Sequence, residues 1–272
     1  MTEEVKRGRA GFASVDATDD PKRFVRYLVE VSKLPSFVNY KKLTYELLDI
    51  TEESLVLDAG CGIGIDIKNL AQDHTISRII GLDSSKQMLV DAREEIPQEL
   101  QESRKIEFVL GNINSMPFEE GVFDASRIDR TLQYSDDPSS ALSEIVRVTR
   151  RGGRIVASEP DWSSLTFNGL SLRSAMIINQ TFSSIITNPT IGKELVLRFS
   201  NVGLHKISSY VSSISLRDTN EAKLILFLDS SLKRAVEGNA IDQKDADECI
   251  KEFNSSTNIA VSFDIHVVRG IK

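Results

Sequence analysis

A chain of 272 residues can bury most of its apolar surface in one domain, so length alone admits one elaborated domain or two small ones. Its 33 lysines and arginines against 40 aspartates and glutamates give a net charge of −7, the wrong sign for a general nucleic-acid binder. Cys61 and Cys249 are too few for a disulfide framework or a structural zinc site, and nothing reads as a signal peptide or a bilayer span, the longest purely apolar run being 224–228.

Asp20-Pro21 reads as a helix start, an acceptor followed by proline at the first helical position, with Phe24, Tyr27, Leu28 and Val31 on one face. After Pro35 a second amphipathic stripe runs through Tyr40, Leu43, Leu47 and Leu48. The pattern then changes. Residues 54–57 form a short apolar strand that leads straight into Asp58-Ala-Gly-Cys-Gly-Ile-Gly64, with a helix over about 65–72. A second strand spans 78–83; the helix after it takes Ser84 as N-cap and Gln87 at the capping-box position, and buries Met88, Leu89, Ala92 and Ile96. Strands follow at 106–110 and 123–128, then a helix opened by Asp137-Pro138 and stopped at Arg151-Gly152-Gly153, then a fifth strand at 154–158. Beyond it the periodicity predicts helices over 170–186, 193–202, 221–237 and 244–253, and strands over 205–211 and 258–268. Alternating strand and helix from 54 to 158 implies a parallel sheet covered on both faces. The expected fold is therefore α/β, a Rossmann-like, doubly wound, mostly parallel seven-stranded sheet with helices on both faces and a helical cap. Residues 1–50 would be the helical lid, 51–160 the cofactor-binding core, and 161–272 the rest of the sheet with insertions that roof the acceptor site.

In an open parallel sheet, ligands bind beyond the carboxyl ends of the strands. After the first strand comes Asp58-x-Gly60-x-Gly62-x-Gly64, where glycines let the backbone approach a ligand and the next helix presents free N–H groups. A plain tight turn would also explain those glycines. Asp83, at the end of the second strand, sharpens the reading, because a carboxylate there can accept hydrogen bonds from both hydroxyls of a ribose. It would otherwise be a helix cap, a role Ser84 fills. The Gly-x-Gly-x-Gly spacing and the acidic Asp58 before it argue against a dinucleotide pyrophosphate, which a carboxylate would repel. A cationic sulfonium or ammonium suits that carboxylate, which points to S-adenosylmethionine.

Taken together, LVLDAGCGIGID, IIGLDSSKQML, GNINSMPFEEGVFDASRIDRTLQY and VTRRGGRIVASEPDW, over roughly 50–162, resemble the class I S-adenosylmethionine-dependent methyltransferases. SVDATDDPKRFVRYL, EPDW, and NPTIGKEL followed by FSNVGL are similar to a bacterial subgroup that methylates small molecules, often in natural-product pathways. The resemblance implies that Gly60, Cys61 and Gly62 lie along the methionyl part of the cofactor, with Asp58 and Gly64 flanking them. Asp83 would hold the ribose beside Ser84, Met88 would pack on the adenine, and Asn112-Ile113 would meet the adenine edge and face. The family pattern has Asp at 112; an Asn amide both accepts and donates, so weaker adenine selectivity is the expected result. Arg127 either meets the methionyl carboxylate or closes an ion pair with Asp129.

Methyl transfer is an in-line displacement on an activated cofactor, so the protein aligns, excludes water and, where needed, removes a proton. His74 lies at the far end of its helix, and His205 and His266 sit on or beside late strands, so none is a good general base. Asp129, Tyr134, Glu159 and Asp161 are better placed as catalytic candidates, though Asp129 could simply pair with Arg127 or Arg130 and Tyr134 could pack under a lid. The Asn/Asp-Pro-Pro-Tyr/Phe turn that serves methylation of nucleic-acid bases and glutamine amides is missing after the fourth strand, and no metal site is expected. Tyr27, Phe37 and Trp162 are candidate substrate contacts, with Phe24, Phe167 and the 224–228 run as further apolar lining or plain core. Arg7 and Arg9 read as a solvated tail. The expected activity is methylation, at oxygen, of a small hydrophobic or aromatic acceptor, with N- or C-methylation, or a non-methylating cyclisation on the same fold, as alternatives. The protein is expected to be soluble and cytoplasmic, a monomer or homodimer, without nucleic-acid or membrane partners.

Overall fold

The computed structural model describes residues 11–72, 78–103, 106–256 and 258–272. Seven strands make one sheet: β1 (Leu55–Ala59), β2 (Arg78–Asp83), β3 (Ile106–Leu110), β4 (Phe123–Asp129), β5 (Thr149–Asn168), β6 (His205–Leu216) and β7 (Ala260–Ile271). Their order is β3-β2-β1-β4-β5-β7-β6. The first five run parallel, and β7 lies antiparallel between β5 and β6. The chain winds outward from β1 to β3 and returns to β4, so the switch of direction opens a crevice at the carboxyl ends of β1 and β4.

Side chains alternate across the sheet, and the core divides accordingly. Val56, Ile79 and Val156 join one buried cluster, whereas their neighbours Leu57, Ile80 and Ala157 join the other. The second face is covered by α6 (Pro138–Val148), through Ala141, Leu142 and Ile145, and by α8 (Ile191–Asn201), through Leu195 and Phe199. The first face carries α2 (Pro35–Leu48), α3 (Ile65–Gln72), α4 (Lys86–Glu95), α7 (Leu172–Ile185) and α11 (Gln243–Ser255). Above the carboxyl ends lie a 3-10 turn at Phe12–Ala17, α1 (Lys22–Ser32), and the pair α9 (Thr219–Leu226) and α10 (Leu228–Glu237).

Several sequence expectations need correction. The helix expected over 221–237 is two helices, because Phe227 adopts a left-handed backbone (φ 45°) and breaks the run. Its ring then stacks on Tyr27 at 4.6 Å, which fixes the bend. Alternation of strand and helix fails between β3 and β4, where a loop carries only an Asn112–Ser115 bridge. A short α5 (Gln98–Glu102) follows α4. β5 continues ten residues past 158 to Asn168, so position 160 falls inside one strand. The cap of α4 is Ser85, whose side chain accepts the Met88 N–H; Ser84 instead turns toward the crevice. Among the described residues no helix is long and apolar enough to cross a membrane.

Candidate active site

The turn after β1 is shaped by its glycines. Gly60, Gly62 and Gly64 all have left-handed φ (76°, 53° and 72°), and a Cβ on Gly60 would stand 2.3 Å from the Thr131 hydroxyl. The amides of Gly60 and Cys61 both donate to Leu82 O (2.7 and 3.1 Å), tying the turn to β2. Asp83 completes the tie: its carboxylate accepts the Gly62 N–H at 2.8 Å and the Ser85 N–H at 2.9 Å, and burial raises its pKa.

A cavity of about 630 Å³ opens onto this turn. Of the residues predicted to meet the cofactor, Gly60, Cys61, Gly62, Asp83, Ser84, Met88, Asn112, Ile113 and Arg127 line it. Asn112 spends its Oδ1 on the Asn114 N–H (2.8 Å), closing an Asx turn at the cavity edge. Gly64 is set behind the wall, where a Cβ would strike the Phe108 ring at 2.9 Å. Asp58 also lies behind it, with 1% of its surface exposed. Tyr27, Phe37 and Trp162, the predicted substrate contacts, face the same cavity from the other side. Trp162 is held firmly, stacked between Phe182 and Phe263 (4.7 and 4.9 Å), with its indole N–H on Gln133 Oε1. Phe24 and Phe167 do not line it; Ile225, from the 224–228 run, does.

Part of the cavity wall is a buried ionic cluster. Arg127, 1% exposed, stands 3.0 Å from Asp58, 3.2 Å from Asp129 and 3.4 Å from Asp66. Lys41 Nζ, from α2, pairs with Asp66 at 2.6 Å and approaches Asp129 at 3.7 Å. Burial alone would raise the Asp129 carboxyl, but Arg127, Lys41 and Arg130 together hold it below the usual range. Asp58 responds oppositely: burial outweighs Arg127, and with Asp66 and Asp129 nearby its pKa rises to about 6. The ion-pair reading of Arg127 thus describes its geometry, with Asp58 and Asp66 as additional partners.

Two catalytic candidates are placed away from the cavity. Glu159 is fully buried behind the turn at Leu132–Tyr134, where it accepts the backbone N–H groups of Thr131, Leu132 and Gln133 (2.8, 2.6 and 3.3 Å). Burial nonetheless raises its pKa to about 8. Asp161 shapes the bulge in β5, accepting the N–H (3.0 Å) and hydroxyl (2.6 Å) of Ser163. Asp129 and Tyr134 do line the cavity, but Asp129 is held ionised by three cations and burial raises Tyr134, keeping its hydroxyl protonated. His205 and His266, on β6 and β7, do not line it; His74, Arg7 and Arg9 lie outside the described residues. Among the described residues no group of three or more metal-binding side chains is arranged to hold an ion.

Sequence reasoning missed Phe12, Ser14 and Val15, which roof the cavity from the 3-10 turn. Asp16 anchors that turn, accepting the Ser85 hydroxyl (2.5 Å) and the Lys86 N–H (2.8 Å) at the start of α4. It also missed Lys41 and Asp66, whose pairing joins positions far apart in sequence and leaves no local signal.

Residues 57–157 match the model of the methyltransferase domain family. A 37.1 kDa protein encoded in transposon TN4556 of Streptomyces fradiae is 35% identical over 217 residues, 78% of this chain and 61% of that protein. The demethylmenaquinone methyltransferase of Lactococcus lactis is 37% identical over 111 residues, 40% of this chain and 43% of the relative. The chain thus spans less than two thirds of either relative. The YcgJ protein of Bacillus subtilis shares the fold, with a TM-score of 0.61 over 86% of this chain and 98% of that one, at 17% identity. The glycine turn and the buried Asp83, at the carboxyl ends of neighbouring strands of a doubly wound sheet, thus lie inside a segment that matches the methyltransferase domain family, on a fold shared with the YcgJ protein.

Proposed function

We propose that the protein binds S-adenosylmethionine in the cavity and transfers its methyl group to an oxygen of a small, apolar or aromatic acceptor. The observation that carries this reading is the continuity of the cavity: the glycine turn and Asp83 form one end of it, and Tyr27, Phe37 and Trp162 line the other. The residues fit the cofactor. A Cβ on Gly62 would meet only Leu28, at 3.4 Å, so the backbone there is open to a ligand. Met88 and Ile113 offer apolar surface for a base, Asp83 suits two hydroxyls, and Arg127 with Asp129 suits a zwitterionic amino-acid tail.

When bound, S-adenosylmethionine would supply a methyl group activated by a sulfonium, with the neutral thioether as leaving group. The chain's own part is positioning and exclusion of water. Phe12, Val15 and Ile225 close the cavity from above, and the aromatic wall holds the acceptor. A relative named for demethylmenaquinone supports a small-molecule acceptor.

Calorimetric titration with S-adenosylmethionine and S-adenosylhomocysteine, with NADH as control, tests the reading. Binding of the two sulfur compounds alone is expected; binding of neither by folded, cofactor-free protein would overturn it. Asp83→Ala should weaken both by about tenfold or more, since a charge-assisted ribose contact contributes roughly 1.5–3 kcal/mol. Release of S-adenosylhomocysteine with an acceptor pool distinguishes methyl transfer from a non-methylating rearrangement.

A further inference from the structure

Arg130 stands where β4 gives way to the turn at Leu132–Tyr134, and its backbone is left-handed (φ 48°) although it has a full side chain. That conformation is held from both sides. Its N–H donates to Ser158 O at 2.8 Å, and its carbonyl accepts from Gln133 Nε2 at 3.1 Å. The result is a guanidinium on the cavity wall.

Asp129 and Asp66 help to hold this guanidinium ionised against its burial, with the Tyr27 hydroxyl as a hydrogen-bonding neighbour, but both carboxylates are shared with Arg127 and Lys41. Nε is buried without a hydrogen-bond partner, and its ion pair, with Asp129, is long at 3.7 Å. Asp129 is meanwhile engaged by Arg127 at 3.2 Å, by Lys41 at 3.7 Å, and by the hydroxyls of Ser158 and Tyr40 at 2.5 and 3.3 Å. The guanidinium lies over the Phe37 ring at 5.2 Å. The groups facing it are Tyr27 from α1, Tyr40 from α2, Asp66 from α3, Asp129 from its own strand and Tyr134 from the turn. Burial keeps the three tyrosines neutral. A desolvated cation on an aromatic wall, with its nearest carboxylate shared among three cations, is set to gain from an incoming anion.

We propose that Arg130 is the acceptor-recognition residue, and that the acceptor is a ring-bearing small molecule whose anionic oxygen, a carboxylate or an ionised phenol, pairs with this guanidinium. The proposal rests on the functional reading above and narrows its substrate class. It also accounts for the lack of a poised base. Asp129 is held ionised by cations, Tyr134 keeps its proton, and Glu159 and Asp161 face elsewhere. A phenolic acceptor would lose its proton to water, with Arg130 stabilising the anion that remains.

The test is calorimetric binding of 2-naphthoate, 2-naphthol and the neutral 2-naphthamide to the full chain saturated with S-adenosylhomocysteine. 2-Naphthoate should bind about tenfold or more tightly than 2-naphthamide, or 2-naphthol should tighten by a similar factor as pH passes its own pKa. The first outcome identifies a carboxylate, the second a phenolate, and both support the shared chemistry. Arg130→Met should abolish the preference, and Arg130→Lys should restore part of it. Circular dichroism checks that both variants fold, and the wild-type probe comparison stands without them. Equal binding of charged and neutral probes, no binding of any anionic probe, or an unchanged preference in folded Arg130→Met overturns the proposal while leaving the cofactor reading intact. Failure to bind S-adenosylhomocysteine removes the reading beneath it, and the proposal with it.

Discussion

Glu159 illustrates how one residue type serves two purposes in such a site. Just beyond a strand end it looks like a candidate base, yet it holds three backbone N–H groups of the turn that carries Arg130, Thr131 and Tyr134. Removing it leaves those donors buried without partners. Glu159→Ala should therefore cost about 2–4 kcal/mol, read from the midpoint of urea unfolding at pH 6. Glu159→Gln, which keeps the oxygen that serves Thr131 and Leu132, should cost about 1 kcal/mol or less under the same conditions. Equal losses in the two variants would show that the turn does not depend on this acceptor. What could be read at this scale was local. The glycines of the turn and Asp83 are fixed by steric demands and by position after a strand, both visible in a short window. Arg127, Asp66 and Lys41 carry no such signal, since their partners lie tens of residues away.

The roof is made of elements too short or too irregular for periodicity to announce. The 3-10 turn at Phe12–Ala17 has no amphipathic stripe, and it is held through tertiary contacts. Phe12 packs on Phe24, Tyr27 and Tyr134, and Val15 packs against Ile63 and Met88. Its polar anchor is Asp16, placed at the positive end of α4. Asp16→Ala should loosen the turn without unfolding the sheet, because Ser85 still caps α4. The expected outcome is S-adenosylhomocysteine affinity lower by several fold, on the order of 0.5–1 kcal/mol, with faster proteolysis confined to residues 11–20. Uniformly faster proteolysis along the chain would mean that the aspartate supports the whole fold. Phe227 shows the same limit on sequence reading. The 221–237 helix pattern is genuine on both sides of it, and contact with Tyr27 overrides propensity at that one residue.

At the scale of the molecule, the parallel core was the most legible part, because strands buried on both faces read as apolar runs and the helices between them as regular stripes. The antiparallel edge was found in kind but not in length. β5, β6 and β7 pair far beyond the core, and their partly exposed residues dilute the pattern. The buried charges give the whole fold a distinctive response to pH. Folded Glu159 keeps its proton to about pH 8, against an ordinary value of 4.5, and Asp58 keeps its proton to about 6, against 3.8. Between those limits the folded state binds more protons than the unfolded, so stability falls as pH rises and levels off above about 8. Asp129, held low by its cations, acts in the opposite sense, adding stability above the ordinary carboxylate range that is lost as the medium becomes strongly acidic. The melting temperature should therefore peak on the mildly acidic side, near pH 5, and decline toward pH 8.5. Glu159→Gln should flatten that decline; a wild-type curve rising through the same range would contradict the burial-raised carboxyls.

The salt bridge between Lys41 and Asp66 has a consequence for how this architecture can change. It couples α2, on the first face of the sheet, to α3, the helix that begins at the glycine turn, and Asp129 of the central strand shares the same ammonium. With Arg127 and Arg130, three cations balance the three carboxylates Asp58, Asp66 and Asp129, and the first 50 residues contribute one of those cations. Exchanging that segment for another of matching shape would strand a negative charge in the interior unless the replacement also brought a cation to the same depth. Residues 35–48 are thus electrically spliced to the glycine-turn helix and to the central strand. The chemistry of the cavity is therefore more accessible to change through substitutions on its wall than through wholesale replacement of α2.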